Sequence, residues 1–273
     1  MTDRIAVIGS SGFVGQALVE RLREQGVEAV ALSRSNSPDL RDRDADWAGL
    51  LLGCRAVVNC AGMAHDLRSL SLDDARTYAL VNGLAPQRLA RAAIEARVER
   101  FVQVSTVKVL GDGTHGKPFS EDDPPNPNGV YALSKALGER LVREATAQTR
   151  TAAVVVRLPL VIGRPYKGNL ALLEKAISAG VPLPFGHRSV AARSYAQMSD
   201  VTDVLSRLAT ASGSLPEVVH VRTEPDMTAG ELAILIGRET GRNPRLVSVP
   251  APVLTRLTTV LGRREAGTKM TDE

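Results

Sequence analysis

Tyr131 and Lys135 stand four residues apart in the stretch Tyr131-Ala132-Leu133-Ser134-Lys135. On a helix that spacing puts both side chains on one face. A tyrosine phenol, with an ordinary pKa of about 10, is a poor base at neutral pH. A neighbouring ammonium stabilises the phenolate and lowers that value. The pair alone says little, because every helix generates such neighbours. Here it has company: Ser105-Thr106 follows an apolar run upstream, and Gly9, Gly12 and Gly15 open the chain. A phosphate cradle, a hydroxyl, a tyrosine and a lysine in that order suit hydride transfer to or from a carbinol carbon. In that chemistry Tyr131 is the general acid or base and Lys135 its electrostatic partner. Thr106 positions the reacting oxygen, and a nicotinamide carries the hydride.

Gly9-Ser10-Ser11-Gly12-Phe13-Val14-Gly15 lies between an apolar run, Ile5-Ala6-Val7-Ile8, and a helical pattern. Glycines let the backbone turn tightly and approach a pyrophosphate, whose charge is stabilised by N–H groups at a helix N-terminus. Ser11, Phe13 and Val14 belong to the cradle with the three glycines. The spacing is G-x-x-G-x-x-G rather than G-x-G-x-x-G. The end of the second strand selects between nicotinamide cofactors, an acid favouring NAD and an arginine NADP. Leu32-Ser33-Arg34-Ser35 holds no acid, so Arg34 tilts the choice toward NADP and leaves NAD open.

These residues need a scaffold. Short apolar runs at 5–8, 27–32, 56–61, 101–104 and 153–156 read as buried parallel strands. Helical patterns fall at 13–25, 73–96 and 130–147. The alternation predicts an α/β fold with a doubly wound parallel Rossmann sheet. We assign 1–160 to an NAD(P)-binding domain. We assign 161–273 to a smaller α+β substrate lobe, interleaved with the end of the sheet. In that lobe a helix is predicted at 199–210, a capping box at Thr228-Ala229-Gly230-Glu231 starts another, and 253–261 suits a last short helix. Between the fourth strand and the tyrosine helix, Gly111, Gly113, Gly116, Pro118, Pro124, Pro125 and Pro127 mark a long loop of the kind that lines sites.

Hydrophobic residues make up 44% of the 273, enough for a core, and with aromatics at 3% that core is aliphatic. The net charge of +4 is spread among acids, which argues against a nucleic-acid surface. Cys54 and Cys60 lack metal-type spacing and read as reduced thiols. Neither a signal peptide nor a membrane span is visible, so a cytoplasmic protein is expected. His65, His115, His187 and His220 show no metal spacing, and His65 and His115 fall in loops that could touch substrate.

With these motifs the chain resembles the extended short-chain dehydrogenase/reductases, in particular the nucleotide-sugar (NAD-dependent) epimerase/dehydratase family. The likeness covers about residues 4–250. It rests on the glycine pattern, Asp39-Leu40, Asn59-Cys60-Ala61-Gly62, Ser105-Thr106 with Gly111, and Tyr131 with Lys135. The resemblance implies that Asp39 and Leu40 contact adenine, and that Lys135 donates to the nicotinamide ribose. It adds Cys60, Ala61, Gly62, Asn82, Ser105 and Pro159 to the cofactor contacts. Aligned on Gly111, Thr106 takes the family's catalytic Ser/Thr place. Lys108, Asn169, Leu170, Phe185 and Arg193 would face substrate, Phe185 against the nucleobase and Arg193 at the diphosphate. Thr106-Val107-Lys108-Val109, 119–124 and Lys167-Gly168-Asn169 are most similar to bacterial sugar-nucleotide 4-epimerases.

Two departures bear on substrate. Leu160 stands where many members carry a substrate-binding asparagine, and the chain ends earlier than most. The implied activity is an NAD(P)-dependent epimerase of a nucleotide-diphosphate sugar acting through a transient keto-sugar. An NADPH-dependent 4-ketoreductase is the alternative, and a non-catalytic NAD(P)-binding sensor or scaffold is the reading from another class. A dehydratase fits less well, because Val107-Lys108 follows Thr106 where such enzymes carry acids. The family also implies a homodimer through helices around 75–96 and 131–147.

Overall fold

The computed structural model describes residues 3–64, 71–114, 116–186 and 192–249. His65, His115 and His187, and the short helix expected at 253–261, lie outside them. The described residues fall into two compact units, one within Met1–Pro159 and Met198–Val221, the other within Leu160–Gln197 and Arg222–Glu273.

The first unit is built on a six-stranded sheet. Its strands are β1 (Arg4–Ile8), β2 (Glu28–Leu32), β3 (Ala56–Asn59), β4 (Arg100–Thr106), β5 (Ala152–Leu158) and β8 (Val218–His220). They run in the order β2-β1-β3-β4-β5-β8, and every neighbouring pair is parallel. Parallel strands carry helices on both faces, so β3 and β4 are buried along their whole length and read as unbroken apolar runs. Ile5, Val57, Phe101 and Val156 are fully buried. Each such side chain stabilises the fold by roughly 1.5–3 kcal/mol relative to exposure.

Helix α1 (Phe13–Glu24) packs Leu18, Val19 and Leu22 inward and stops before Gly26, whose φ is 73°. A short helix α2 (Ala48–Leu51) precedes β3. The stretch expected as one long helix is three pieces: α3 (Leu72–Tyr78), a π-helical turn at Ala79–Leu84, and α4 (Ala85–Glu95). A capping box between Ser71 and Asp74 starts α3. Helix α5 (Gly129–Thr146) carries the tyrosine and lysine. It packs so closely on the π-turn that a Cβ on Gly138 would overlap the Asn82 carbonyl oxygen.

Helix α7 (Met198–Thr210) and β8 return to the first unit. Arg21 donates to Asp203 at 2.7 Å, and Arg55 donates to the carbonyls of Thr210 and Ala211 at 3.2 and 3.1 Å. The last two bonds satisfy carbonyls that the end of α7 leaves open.

The second unit holds β6 (Leu160–Ile162), β7 (Arg193–Gln197) and β9 (Thr223–Met227), with α6 (Asn169–Ser178) and α8 (Ala229–Glu239). β6 pairs β7 in parallel, and β9 pairs β7 antiparallel. Its core gathers Ile162, Tyr166, Leu170, Ile177, Tyr195, Leu232 and Ile236. The expected capping box at Thr228 and Glu231 is present and opens α8.

Candidate active site

The direction of chain winding reverses between β1 and β3, and in open α/β sheets ligands gather at such a switch point, beyond the carboxyl ends of the strands. The glycine loop lies there. Gly9 has φ of 80°, and the Leu32 carbonyl accepts from the N–H groups of both Gly9 and Ser10 at 2.9 and 3.0 Å. Gly12 donates to the Gly9 carbonyl at 2.9 Å and then caps α1 without any side-chain hydrogen bond. A Cβ on Gly9 would lie 2.7 Å from the Ala61 nitrogen, and one on Gly15 would overlap the Gly9 carbonyl oxygen. Ser11, Phe13 and Val14 complete the turn into the helix. The loop therefore has the close backbone approach and the helix N-terminus that a dinucleotide pyrophosphate needs. These residues fit a nicotinamide dinucleotide.

At the end of β2, Asn36 fixes the turn by accepting from the Ser33 N–H at 2.7 Å. Arg34 is exposed. Arg41 binds Asp39 with Nε 3.0 Å from Oδ2, and hydrogen bonds from this side chain hold the Asp39 carboxyl down at about 2. Leu40 packs partly on the core, and its carbonyl accepts from Arg88.

Beyond β3 the structure brings together Cys60, Ala61, Gly62, Asn82 and Lys135. A Cβ on Gly62 would sit 3.2 Å from Asn82 Oδ1 and 3.6 Å from Lys135 Nζ. Asn82 accepts from the Met63 N–H at 2.8 Å, and its amide nitrogen donates to the Met63 carbonyl and to Ser134 Oγ. Asn82 lies within the π-turn, and such turns gather at functional sites. Burial pushes the Cys60 thiol up to about 12, so it is inert as a nucleophile despite the nearby ammonium. Cys54 is buried, and both cysteines are free thiols.

Tyr131 and Lys135 lie on α5 as expected. The Tyr131 ring meets Tyr78 edge-to-face, with centroids 6.4 Å apart. Burial raises its phenol above the ordinary value, and a hydrogen bond with Thr106 works against that rise. The expected lowering by Lys135 is not what the structure shows. Lys135 turns inward and donates to the Val104 carbonyl at 2.7 Å. Burial there lowers the lysine itself to about 8, against the opposing pull of Glu139 and Cys60. The phenol partner in this arrangement is Thr106 at the end of β4, next to exposed Lys108.

Sequence reasoning missed the polar floor under this face. Asn59 donates to Gln103 at 2.9 Å, and Gln103 donates to the same Val104 carbonyl that Lys135 uses. The side chain of Ser105 donates to Glu139, which Arg157 grips with Nη2 at 2.9 Å. The four-residue step from Lys135 to Glu139 was the one available signal. The long loop is pinned by Asn126 to the Val109 carbonyl, by Asn128 to Asp112, and by Glu121, which accepts from the His220 N–H at 3.2 Å.

Pro159 closes the first unit after β5. Asn169, Leu170, Phe185 and Arg193 belong to the second unit. Asn169 is exposed at the start of α6, and Arg193 is exposed at the start of β7. Leu170 is buried in the second core, and Phe185 packs partly against it. Among the described residues there is no cluster of metal-ligating side chains, and no helix is long and apolar enough to cross a membrane.

One pH effect follows from Lys135. Its folded value of about 8 lies below the ordinary 10.5, so the folded chain binds its proton less tightly than the unfolded chain. The penalty on the charged form is complete below pH 8 and is relieved as pH rises from about 8 to 10.5. In protein freed of nucleotide, wild type is expected to gain stability relative to Lys135→Met across that window. Urea unfolding at a series of pH values checks this, and parallel curves would refute it.

The sequence profile of the NAD dependent epimerase/dehydratase family matches residues 5–221. UDP-glucose 4-epimerase of Vibrio cholerae is 30% identical over 259 residues, covering 89% of this chain and 79% of the relative. dTDP-6-deoxy-L-talose 4-dehydrogenase (NAD(P)(+)) of Kitasatospora kifunensis is 32% identical over 270 residues, covering 91% and 83%. The solved structure of MoeE5 in complex with UDP-glucuronic acid and NAD superposes with a TM-score of 0.75 at 26% identity, over 90% of this chain and 85% of that one. Sheet, cradle and tyrosine–lysine helix together define an NAD(P)-dependent enzyme of the extended short-chain dehydrogenase/reductase type. The chain belongs to the NAD-dependent epimerase/dehydratase family.

Proposed function

We propose that this protein epimerises a nucleotide-diphosphate sugar at a ring carbinol, through a transient keto-sugar, as a cytoplasmic homodimer. The observation that carries the reading is that Tyr131 and Lys135 lie one turn apart on α5 with Thr106 at the end of β4, in the unit that holds the glycine cradle. The family membership and the nucleotide-sugar relatives support the substrate class.

Thr106 orients the sugar hydroxyl toward Tyr131. The phenol oxygen takes that hydroxyl proton on oxidation and returns it after the keto-sugar has turned over. Bound nicotinamide supplies the hydride acceptor and donor. Lys135 and Asn82 hold the nicotinamide end, the cradle residues hold the pyrophosphate, and Asp39, Leu40 and Arg34 face the adenosine end. Lys108, Asn169, Leu170, Phe185 and Arg193 bind the nucleotide sugar, Leu170 through its backbone because its side chain is buried. The free thiols suit a reducing compartment.

A 4-ketoreductase is the second reading, favoured by Arg34 and by the absence of an acid in Leu32-Ser33-Arg34-Ser35. The nucleotide carried by purified protein separates the two. An epimerase recycles its own hydride and is expected to retain oxidised nucleotide, released by acid and identified by mass. Retained NAD+ would also remove the NADP preference drawn from Arg34. An empty protein that binds NADPH tightly and NADH poorly would overturn the epimerase in favour of the reductase.

A further inference from the structure

A second polar cluster lies beneath the tyrosine–lysine face. Glu139 and Arg157 have side chains only 1% and 2% exposed, yet both are charged. Arg157 approaches Glu139 with Nε 3.3 Å from Oε1 and 3.2 Å from Oε2, and Nη2 2.9 Å from Oε2. The Ser105 hydroxyl donates to Glu139 Oε1. Three elements are thereby joined: β4 through Ser105, β5 through Arg157, and α5 through Glu139. Stability alone does not account for this pair, because apolar replacements of a buried ion pair are often neutral or stabilising. Its place does. Glu139 is one helical turn beyond Lys135, and Ser105 is next to Thr106.

We propose that Glu139 is the positioning residue for Lys135: its carboxylate, clamped by Ser105 and Arg157, locks the inner face of α5 onto the sheet and sets a negative charge one helical turn from the buried lysine. The inference rests on Lys135 facing the nicotinamide nucleotide, as proposed above. Burial works to discharge Lys135, and Glu139 is the larger of the two influences that oppose it. The titratable and charged groups around the pair come from every packed element. Cys60 follows β3, Tyr131 and Lys135 lie on α5, Arg157 on β5 and His220 on β8. Glu121 and Asp123 of the long loop act on His220, as do Arg157 and Glu139.

The test reads nucleotide affinity against pH, for NAD+ and NADP+, by calorimetry from pH 6.5 to 9.5 (approximate limits set by the ordinary values of the groups involved). Wild-type affinity is expected to break near the Lys135 value of about 8, and Lys135→Met to remove the break. Glu139→Gln alone strands the Arg157 charge and is expected to lower Tm sharply. The paired variant Glu139→Gln/Arg157→Met removes both charges and preserves shape. It is expected to fold and to break about one pH unit lower, which weakens binding at pH 8 by about fivefold. A folded paired variant that breaks where wild type does would overturn the proposal. So would a wild-type break that survives in Lys135→Met. If the pair does not fold, Glu139→Leu/Arg157→Met takes its place, and failure of both to fold would assign the cluster a purely structural role. Sugar turnover is not read, so its absence would count only against the substrate assignment.

Discussion

Tyr131→Phe is expected to lower turnover by about 10³-fold, within the roughly 10²–10⁴-fold range of a lost general acid–base group. Nicotinamide binding is expected to stay within about twofold of wild type, since each tenfold in affinity needs about 1.4 kcal/mol. The ring keeps its edge-to-face contact with Tyr78, so packing is conserved. What disappears is one hydroxyl and its bond to Thr106. A single neutral hydrogen bond contributes about 1 kcal/mol to stability, so Tm should move little. Burial holds the wild-type phenol protonated at neutral pH, which readies it to donate, and the Thr106 bond eases its ionisation for the abstraction step. Both steps need the oxygen, so a phenylalanine stops oxidation and reduction alike. Steady-state rates beside nucleotide titrations make the measurement. Unchanged turnover with intact binding would show that Tyr131 is not the acid–base group, whichever sugar nucleotide is used.

The face that carries Tyr131 was readable because each part is dictated locally. Gly9, Gly12 and Gly15 are required by backbone approach, and β1, β3, β4 and most of β5 by burial on both faces, while β2 is a partly exposed edge strand. The layer beneath was not readable, because long-range contacts choose it. Glu139 and Arg157 are 18 residues apart on a helix and a strand, and each alone looks like a surface charge. The π-turn follows from Asn82 reaching Met63 and from Gly138 admitting α5, while the local pattern of 73–96 reads as one helix. β8 is three residues ending in a histidine, too short for a period to register, and only pairing with β5 makes it a strand. The inward turn of Lys135 has the same origin, since its acceptor is a carbonyl on β4.

Gly15→Ala tests the cradle more severely than any charge change. Gly15 is buried in the first turn of α1, and an added Cβ would overlap the Gly9 carbonyl oxygen and lie 2.9 Å from the Gly9 carbonyl carbon and 3.0 Å from Ser10 Cα. All three are backbone atoms, so no side chain can swing aside. The loop cannot retreat toward β3 either, because Gly9 already rests against Ala61, nor from β2, because Gly9 and Ser10 are bound to the Leu32 carbonyl. An alanine must therefore displace the loop from the helix N-terminus and misalign the N–H groups that meet the pyrophosphate. Nucleotide affinity is expected to fall by about 100-fold or more, close to 2.7 kcal/mol. Overpacking is expected to reduce folding stability by roughly 1–3 kcal/mol. Gly113→Ala is the control, because nothing lies within 4 Å of its Cβ position. Calorimetric titration of both variants, with Tm measured on the same samples, gives the comparison. Near-wild-type affinity in Gly15→Ala would mean that the loop yields without moving its N–H groups, and would place the pyrophosphate elsewhere.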